Sequence, residues 1–246
     1  YLSRPVTMEM VEEAKEICKL HGVPFNYEGW KYIAEELGYI PVKIRAVPEG
    51  SVIFPYEPIM TVRGPAVQAQ LIETIALLII NHESLIATKS NRIKRAAKGR
   101  AVMEFGARRA QGIDASVYGA KASYIAGIDG TSNVLTGKLF NIPVLGTMAH
   151  SWVQMFDTEL EAFKAFAKSF PNNCVLLVDT YNTLQSGIPN AIKTFDEILK
   201  PMGIRPKGIR LDSGDLAYLS KQARKMLDNA GYEDAQIVVS NSLDEY

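Results

Sequence analysis

The sequence lacks a net charge. Its 246 residues carry 27 lysines and arginines against 27 aspartates and glutamates. A chain with balanced charge is not drawn as a whole onto nucleic acid or onto an anionic membrane surface. We therefore expect no nucleic-acid partner and no membrane, and any anion has to be bound by a local site.

Cysteine and long apolar runs are also scarce. The two cysteines, Cys18 and Cys174, show no metal-ligand spacing, so neither a disulfide framework nor a zinc site is predicted, and a reducing cytoplasm is expected. The longest purely apolar run near the middle, Ile75 to Ile80, is far shorter than the about 20 residues that a spanning helix needs. We therefore predict that the chain does not cross a membrane.

What is present is a composition that can build a core, since 47% of the residues are apolar and 22% are charged. The chain opens at Tyr1 and not at Met. It stops at Tyr246, soon after the apolar run Ile237 to Val239, with no helix following. We expect an excerpt of a longer protein, with part of the site beyond it.

The first 98 residues mix helix and strand. Thr7 precedes an amphipathic stretch from Met8 to Leu20, which predicts a capped helix. A second short helix is predicted from Glu28 to Leu37, ending at Gly38. Three strand-like runs then predict a small antiparallel sheet, and a long helix with a basic end follows. The predicted strands are Val42 to Val47, Ser51 to Phe54 and Ile59 to Arg63, and the helix runs from Pro65 to Ala97.

From Gly99 onward short apolar runs alternate with helical ones, which is typical of a parallel sheet. The predicted strands are Ala101 to Glu104, Ile142 to Gly146, Val175 to Asp179, Gly208 to Asp212 and Gln236 to Ser240, and the helices are Ala115 to Tyr124, Leu160 to Lys168, Ile188 to Lys200 and Leu216 to Asn229. An open sheet gathers its site at one switch point, whereas a barrel uses the end of strand after strand. Because nearly every strand here ends in polar residues, we predict an α/β fold. It has an incomplete (β/α) barrel over residues 99–246, truncated at its C-terminus, after a smaller α+β domain over residues 1–98.

The segment from Glu104 to Gly112 places Phe105 beside two adjacent arginines, Arg108 and Arg109, in a glycine-flanked loop. Paired guanidinium groups suit a phosphate or a carboxylate, and the aromatic ring suits stacking. A salt bridge from Glu104 to one arginine, with a core phenylalanine, explains the same residues.

One of three histidines, His150, follows the predicted strand that ends at Gly146, and Thr147 lies close by. A histidine there can act as acid, base or phosphate acceptor, although a satisfied structural histidine is the commoner outcome. His21, at a helix end, and His82, within the long helix, are predicted to be structural.

Three more strand ends carry polar side chains. Asp179 ends a buried strand, where it can hold a ribose diol or a magnesium-bound diphosphate, or cap a turn. Arg210 and Asp212 alternate along one strand and so leave it on the same face, a pair that is costly to bury for structure alone. Ser240 and Asn241 are a further polar strand end, uninformative by themselves.

Together these blocks resemble the nicotinate phosphoribosyltransferase family, which belongs to the type II phosphoribosyltransferases. The resemblance covers essentially the whole chain. The blocks are EFGARRAQG from Glu104, GIDGTSNV from Gly127, GTMAHSWV from Gly146, VDTYNT from Val178, IRLDSGDL from Ile209 and SNSLDEY from Ser240.

The resemblance implies an enzyme of NAD salvage that joins nicotinate to 5-phosphoribosyl-1-diphosphate. Diphosphate is released, and ATP hydrolysis is coupled through a phosphorylated histidine, here His150. It further implies Mg²⁺ and a homodimer with shared active sites. The implied contacts are Phe105, Arg108, Arg109 and Ser132 with the base, Arg210 with the phosphoribosyl group, Asp179 and Asp212 with ribose, diphosphate and magnesium, and Ser240 and Asn241 with the ribose end. Thr147 is implied as a further substrate-binding residue.

The nearest alternative is a nicotinamide phosphoribosyltransferase. Relatives that accept the amide carry an aspartate where this chain has Ser132, so the resemblance favours nicotinate. A non-catalytic relative that binds nucleotides or partners is a second alternative, against which the intact acids and His150 argue. A metal-dependent aldolase would need a lysine or a histidine-rich ligand set at the strand ends, which the sequence does not show.

Overall fold

The computed structural model describes residues 2–246, which form two compact units. The first holds the residues up to Lys94 together with Gly99–Pro143, and the second holds Arg95–Lys98 together with Val144–Tyr246. The predicted domain boundary between residues 98 and 99 stays a prediction.

The first unit begins with two helices, α1 (Met8–Leu20) and α2 (Tyr27–Tyr32). The Thr7 side chain accepts a hydrogen bond from the Met10 N–H and caps α1, as predicted. A π-helical turn, Ile33–Leu37, extends α2 and ends at Gly38, whose φ of 70° suits glycine. Both predicted helices are therefore present.

The small antiparallel sheet has two strands, β1 (Lys43–Ala46) and β2 (Met60–Arg63), and the predicted third strand is wrong. Residues 51–54 form a loop because their backbone groups bond within turns. The Ser51 N–H donates to the Pro48 carbonyl and the Phe54 N–H donates to the Glu57 carboxylate. Phe54 is also exposed, so its apolar side chain has no sheet face to pack on.

The predicted long helix is two helices, α3 (Ala66–Leu71) and α4 (Glu73–Ala96), that meet at Ile72. By length and composition, Ala66–Ala96 is the one helical stretch among residues 2–246 that could cross a membrane. The purely apolar run from Ile75 to Ile80 is only part of this helical stretch, because uncharged polar residues such as Asn81 lengthen it without adding charge. A single such helix does not identify a membrane protein, since core helices of soluble proteins can be as long and as apolar.

The first unit ends with two parallel two-residue strands and two helices. They are β3 (Met103–Glu104), α5 (Ile113–Ile125), β4 (Gly130–Thr131) and α6 (Val134–Phe140). The predicted strand from Ile142 to Gly146 is reduced to a single bridge residue, Val144, and the partner of β3 is β4. Thr131 N–H donates to the Pro143 carbonyl, and a Cβ on Gly130 would lie 2.6 Å from that oxygen. Only glycine lets the backbones approach so closely.

The second unit alternates helices with three parallel strands. Its elements are α7 (His150–Gln154), α8 (Glu159–Ser169), β5 (Val175–Leu177), α9 (Ile188–Thr194), β6 (Gly208–Leu211), α10 (Leu216–Asn229) and β7 (Gln236–Val239). A π-helical turn, Thr183–Gly187, precedes α9, and Phe195–Leu199 and Lys200–Met202 extend it.

The three strands lie in the order β5-β6-β7, all parallel, as the alternating pattern predicts. Helix α8, the π-helical turn after α9 and helix α10 bury Phe163, Phe195 and Leu227 against Leu176 and Ile209 of the sheet. Burial of such side chains stabilises the unit by about 1.5–3 kcal/mol each. The core therefore fixes the strand ends from which the polar residues project.

Candidate functional site

Polar side chains of the second unit gather at the C-terminal edge of its sheet. Asp179 and Thr180 follow β5, Asp212 follows β6, and Ser240 follows β7. Parallel strands end at the same edge, so residues distant in sequence meet there. The short helix α7 begins beside them with His150.

Arg210 ties this edge together. Its Nη2 donates to Asp212 Oδ1 at 2.8 Å and its Nε donates to Ser240 Oγ at 2.9 Å. Its Nη1 donates to Thr147 Oγ1 at 2.8 Å and to the Met148 carbonyl at 3.2 Å. Four of its five N–H groups thus donate hydrogen bonds within the protein, and one N–H group remains for a ligand. The side chain is 13% exposed, so the guanidinium is largely but not fully buried at this edge.

His150 stands between a hydroxyl and two carboxylates. Its Nδ1 lies 3.1 Å from Thr180 Oγ1, while its Nε2 lies 3.4 Å from Asp212 Oδ2 and 3.9 Å from Asp179 Oδ1. The ring is 37% exposed, so one face remains open to a ligand. An imidazole held at both nitrogens and open on one side suits acid–base chemistry or phosphoryl transfer.

Asp179 is the most buried of these acids, with a side chain that is 1% exposed. Its Oδ2 accepts hydrogen bonds from the Asp212 N–H at 2.7 Å and from Ser213 Oγ at 2.6 Å. Its Oδ1 is buried with no hydrogen-bond partner among the described residues. A buried carboxylate oxygen without a donor is costly, and it is a place where a cation or a ligand hydroxyl would be stabilised.

The surroundings of Asp212 favour its charged form. Burial alone raises the pKa of this carboxyl, but hydrogen bonds from Ser240 and Arg210 and the guanidinium charge outweigh burial, so the pKa lies below its usual value. The group is therefore ionised at neutral pH. A fixed negative charge here suits stabilisation of a positive charge on a sugar.

Two polar residues of this edge stand apart from the cluster. Asp215 caps α10 by accepting a hydrogen bond from the Tyr218 N–H at 2.9 Å. Asn241 has a φ of 87°, is exposed, and its side chain bonds only Ser242 among the described residues. The role of Asn241 at the ribose stays a prediction.

The other predicted contacts belong to the first unit. Phe105 and Ser132 are half-buried and follow the paired strands β3 and β4, while Arg108 and Arg109 lie exposed on a short 3-10 turn, Ala107–Arg109. Among the described residues of this unit, neither guanidinium forms a hydrogen bond or an ion pair. Glu104 accepts instead from the Gly106 N–H and from Thr131 Oγ1. The salt-bridge explanation of this loop is therefore wrong, and both positive charges are available to an anion.

The two other histidines have structural surroundings. His21 follows α1 as its C-terminal cap, and His82 Nε2 lies 3.1 Å from the Ala115 carbonyl. Sequence reasoning did not single out Thr180 and Ser213, which contact His150 and Asp179. Both hydroxyls directly follow an aspartate at a strand end, and that pattern is the signal that could have identified them.

Comparison with known proteins identifies the family of the chain. The family model described as "Nicotinate phosphoribosyltransferase (NAPRTase) family" matches residues 100–245, more than half of the chain. The chain belongs to the nicotinate phosphoribosyltransferase family. A second model, "Quinolinate phosphoribosyl transferase, N-terminal domain", matches residues 4–84.

Relatives of this family span bacteria and animals. A nicotinate phosphoribosyltransferase of Bacillus subtilis is 48% identical over 246 residues, covering 94% of this chain and 49% of the relative. One of Homo sapiens is 34% identical, covering 83% of this chain and 48% of the relative. The chain thus spans about half the length of the curated relatives that it matches.

Solved structures show the same fold. A crystal structure of human nicotinic acid phosphoribosyltransferase matches with a TM-score of 0.84 at 30% identity, covering 95% of this chain and 57% of that one. A nicotinate-nucleotide pyrophosphorylase from Pyrococcus furiosus matches with a TM-score of 0.73 at 30% identity, covering 83% and 52%. The chain shares the mixed α/β architecture of type II phosphoribosyltransferases.

The residues present fit the Mg²⁺ that the family resemblance implies. Residues 2–246 hold no group of three or more His, Cys, Asp or Glu side chains suited to a metal ion. Magnesium, however, commonly takes one or two carboxylates, with substrate phosphates and water completing its shell. The unpartnered Asp179 Oδ1 and the Asp212 carboxylate supply that donor set.

Proposed function

We propose that the complete protein transfers the phosphoribosyl group of 5-phosphoribosyl-1-diphosphate to nicotinate, giving nicotinate mononucleotide and diphosphate. We further propose that it hydrolyses ATP through a phosphorylated His150 and serves NAD salvage. The observation that carries the proposal is the placement of His150 against Thr180, Asp179 and Asp212 at one sheet edge. The membership of the chain in this enzyme family supports it.

In the transfer step the nicotinate ring nitrogen attacks C1 of the ribose. The bond between C1 and the diphosphate oxygen breaks, and diphosphate leaves with the electron pair. Positive charge develops on the sugar, so the carboxylates of Asp179 and Asp212 beside the ribose lower the barrier. Arg210 holds Asp212, Thr147 and Ser240 in place for this contact, and such orientation supplies much of the remaining acceleration.

In the ATP-linked step an imidazole nitrogen of His150 accepts the γ-phosphoryl group, and ADP leaves. Water then cleaves the phosphohistidine and releases orthophosphate. Thr180 contacts one ring nitrogen and Asp212 the other, so the two side chains fix the orientation of the ring before transfer.

Asp179 and Asp212 are the residues that would hold Mg²⁺. When bound, the ion supplies charge neutralisation for the diphosphate. Without a cation the two carboxylates and the highly charged diphosphate would repel one another.

The base is recognised in the first unit. Phe105 stacks on the pyridine ring, and the unpaired Arg108 and Arg109 offer positive charge to its carboxylate. Ser132 can donate a hydrogen bond to the same group, where an aspartate would repel it. Nicotinamide is the alternative base, and the unpaired guanidinium groups favour nicotinate over it.

The complete protein has further proposed properties that follow the family. Its parallel strands continue into a closed (β/α) barrel, it forms a homodimer with shared active sites, and it acts in the cytoplasm.

Product identification tests the proposed function. The complete protein is incubated with 5-phosphoribosyl-1-diphosphate and either pyridine base, with and without ATP, and the mononucleotides and diphosphate are quantified. We expect nicotinate mononucleotide, with ATP increasing its yield. Equal or greater yield from nicotinamide would promote the alternative, and no mononucleotide from either base would refute the proposal.

A further inference from the structure

Glu104 lies between the two segments that carry the proposed base contacts. These are the Phe105 loop, residues 105–112, and the Ser132 turn, residues 130–133. Glu104 ends β3 and stands opposite Thr131 of β4 in the parallel pair. The position of Glu104 therefore places its side chain between the Phe105 loop and the Ser132 turn.

The Glu104 carboxylate bonds to both segments at once. Oε2 accepts from Thr131 Oγ1 at 2.6 Å, and Thr131 is 1% exposed. Oε1 accepts from the Gly106 N–H in the Phe105 loop. The Glu104 carbonyl also accepts from the Ser132 N–H at 3.0 Å. We call these three hydrogen bonds the Glu104 clamp. Hydrogen bonds to a charged acceptor are about twice as strong as neutral ones, so the clamp stabilises the two segments more than three neutral turn bonds would.

Hydrogen bonds within the Ser132 turn connect the Glu104 carboxylate to the start of helix α6. Thr131 Oγ1 accepts from the Asn133 N–H at 3.0 Å while it donates to Glu104. Asn133 in turn caps α6 by accepting from the Thr136 N–H. The turn that presents Ser132 is thereby fixed at its start by Glu104 and at its end by a helix.

Gly106 shows how close the loop lies to the carboxylate. A Cβ added at Gly106 would lie 2.8 Å from Glu104 Oε1, nearer than side chains approach. The φ of Gly106 is −87°, which any residue adopts, so the close approach to the carboxylate is the constraint here. An alanine would therefore push the carboxylate away without removing it.

The Glu104 carboxylate accepts hydrogen bonds from these neutral donors and does not pair with the arginines of the same loop. Among the described residues of the first unit, Arg108 and Arg109 have no side-chain partner, although they follow Glu104 by four and five positions. A carboxylate paired with either guanidinium would cancel the charge that attracts an anionic base. The hydrogen bonds to Gly106 and Thr131 keep the Glu104 carboxylate occupied elsewhere.

We propose that Glu104 is a positioning residue that holds the Phe105 loop and the Ser132 turn in one arrangement for recognition of a pyridine carboxylate. The inference rests on the proposed function. It assigns Glu104 no contact with the base. It predicts that loss of the clamp weakens nicotinate binding and leaves the phosphoribosyl donor unaffected.

Steady-state kinetics of the complete protein test this role, with Glu104→Gln, Thr131→Val and Gly106→Ala as perturbations and Thr131→Ser as the matched control. A glutamine amide can accept only on one side, so one of the two bonds is lost. We expect each perturbation to raise the KM for nicotinate about tenfold, with the KM for 5-phosphoribosyl-1-diphosphate changed less than twofold. Thr131→Ser keeps the hydroxyl and should match the unmodified protein. Glu104→Gln combined with Thr131→Val should cost less than the sum of the two single changes, because both perturb the bond between Glu104 and Thr131.

Hydrogen exchange gives a readout that needs no turnover. The peptide containing Gly106 should exchange faster in Glu104→Gln than in the unmodified protein, because its amide loses a charged acceptor. Unchanged exchange there, equal increases in both KM values, or a defective Thr131→Ser variant would overturn the role of Glu104. An unmodified protein that forms no nicotinate mononucleotide would instead refute the proposed function, and the exchange result would still decide whether the clamp exists.

Discussion

Replacement of Arg210 by methionine removes the guanidinium group that links Asp212, Ser240 and Thr147. It keeps much of the apolar length of the side chain. The change deletes four hydrogen bonds, one of them to the Asp212 carboxylate. Removing one partner of a buried ion pair costs about 3–5 kcal/mol. Asp212 is 23% exposed and keeps its bond from Ser240, so we expect a loss of about 2–3 kcal/mol in the free energy of unfolding.

The loss should depend on pH with a definite sign. The folded-state pKa of Asp212 is lowered, so its contribution to stability is present above the unfolded value of about 4 and disappears as pH falls through the folded pKa. The difference between the unmodified protein and Arg210→Met should therefore be largest at neutral pH and shrink below about pH 4.

Urea denaturation of the complete protein at several pH values measures this difference. Arg210→Lys is the matched control, because it keeps the charge but loses the planar fork. We expect its stability to fall between those of the unmodified protein and Arg210→Met. A stability difference for Arg210→Met that stays the same from pH 7 down to about pH 2 would refute the assigned ion pair.

Four further predictions concern the proposed chemistry. His150→Ala should abolish stimulation of product formation by ATP and leave the unfolding midpoint unchanged, since the ring is 37% exposed, and a shifted midpoint would give the ring a packing role. Thr180→Val should slow phosphorylation of the protein by ATP about fivefold, and Thr180→Ser should not, as a radiolabel time course would show. Ser132→Asp should lower the ratio of nicotinate to nicotinamide turnover in a competition assay, and an unchanged ratio would remove Ser132 from base selection. Thorough chelation should stop the transfer reaction, and activity that survives it would contradict the metal roles of Asp179 and Asp212.

Helices with strong local signals could be predicted to the residue. Helix α1 runs from Met8 to Leu20 as predicted, because Thr7 caps an amphipathic stretch. Helix α10 matches its prediction too, and Asp215 caps it by accepting from the Tyr218 N–H.

Short strands could not be predicted, because they carry no periodic signal. Strand β4 has two residues, Gly130 and Thr131, and is defined by backbone proximity and not by an apolar run. The run from Ser51 to Phe54 shows the reverse case. Its composition suits a strand, but turns take up its backbone hydrogen bonds.

The strand-end cluster was predictable in membership but not in its contacts. Parallel strands end at one edge, so Asp179, Asp212 and Ser240 were expected to meet there. Which hydroxyl faces His150 depends on side-chain directions that a linear pattern does not contain. The contacts of Thr180 with His150 and of Glu104 with Thr131 therefore require the folded structure.

Mapping the phosphate after brief exposure to ATP tests whether His150 is the phosphorylated residue. The complete protein is incubated with ATP, digested at neutral to basic pH where phosphohistidine survives, and sequenced by tandem mass spectrometry. We expect phosphate on the peptide that contains His150, at that residue, and its disappearance when nicotinate and 5-phosphoribosyl-1-diphosphate are added. Phosphate on another residue, or steady ATP hydrolysis coupled to nicotinate mononucleotide formation with His150 never modified, would contradict it.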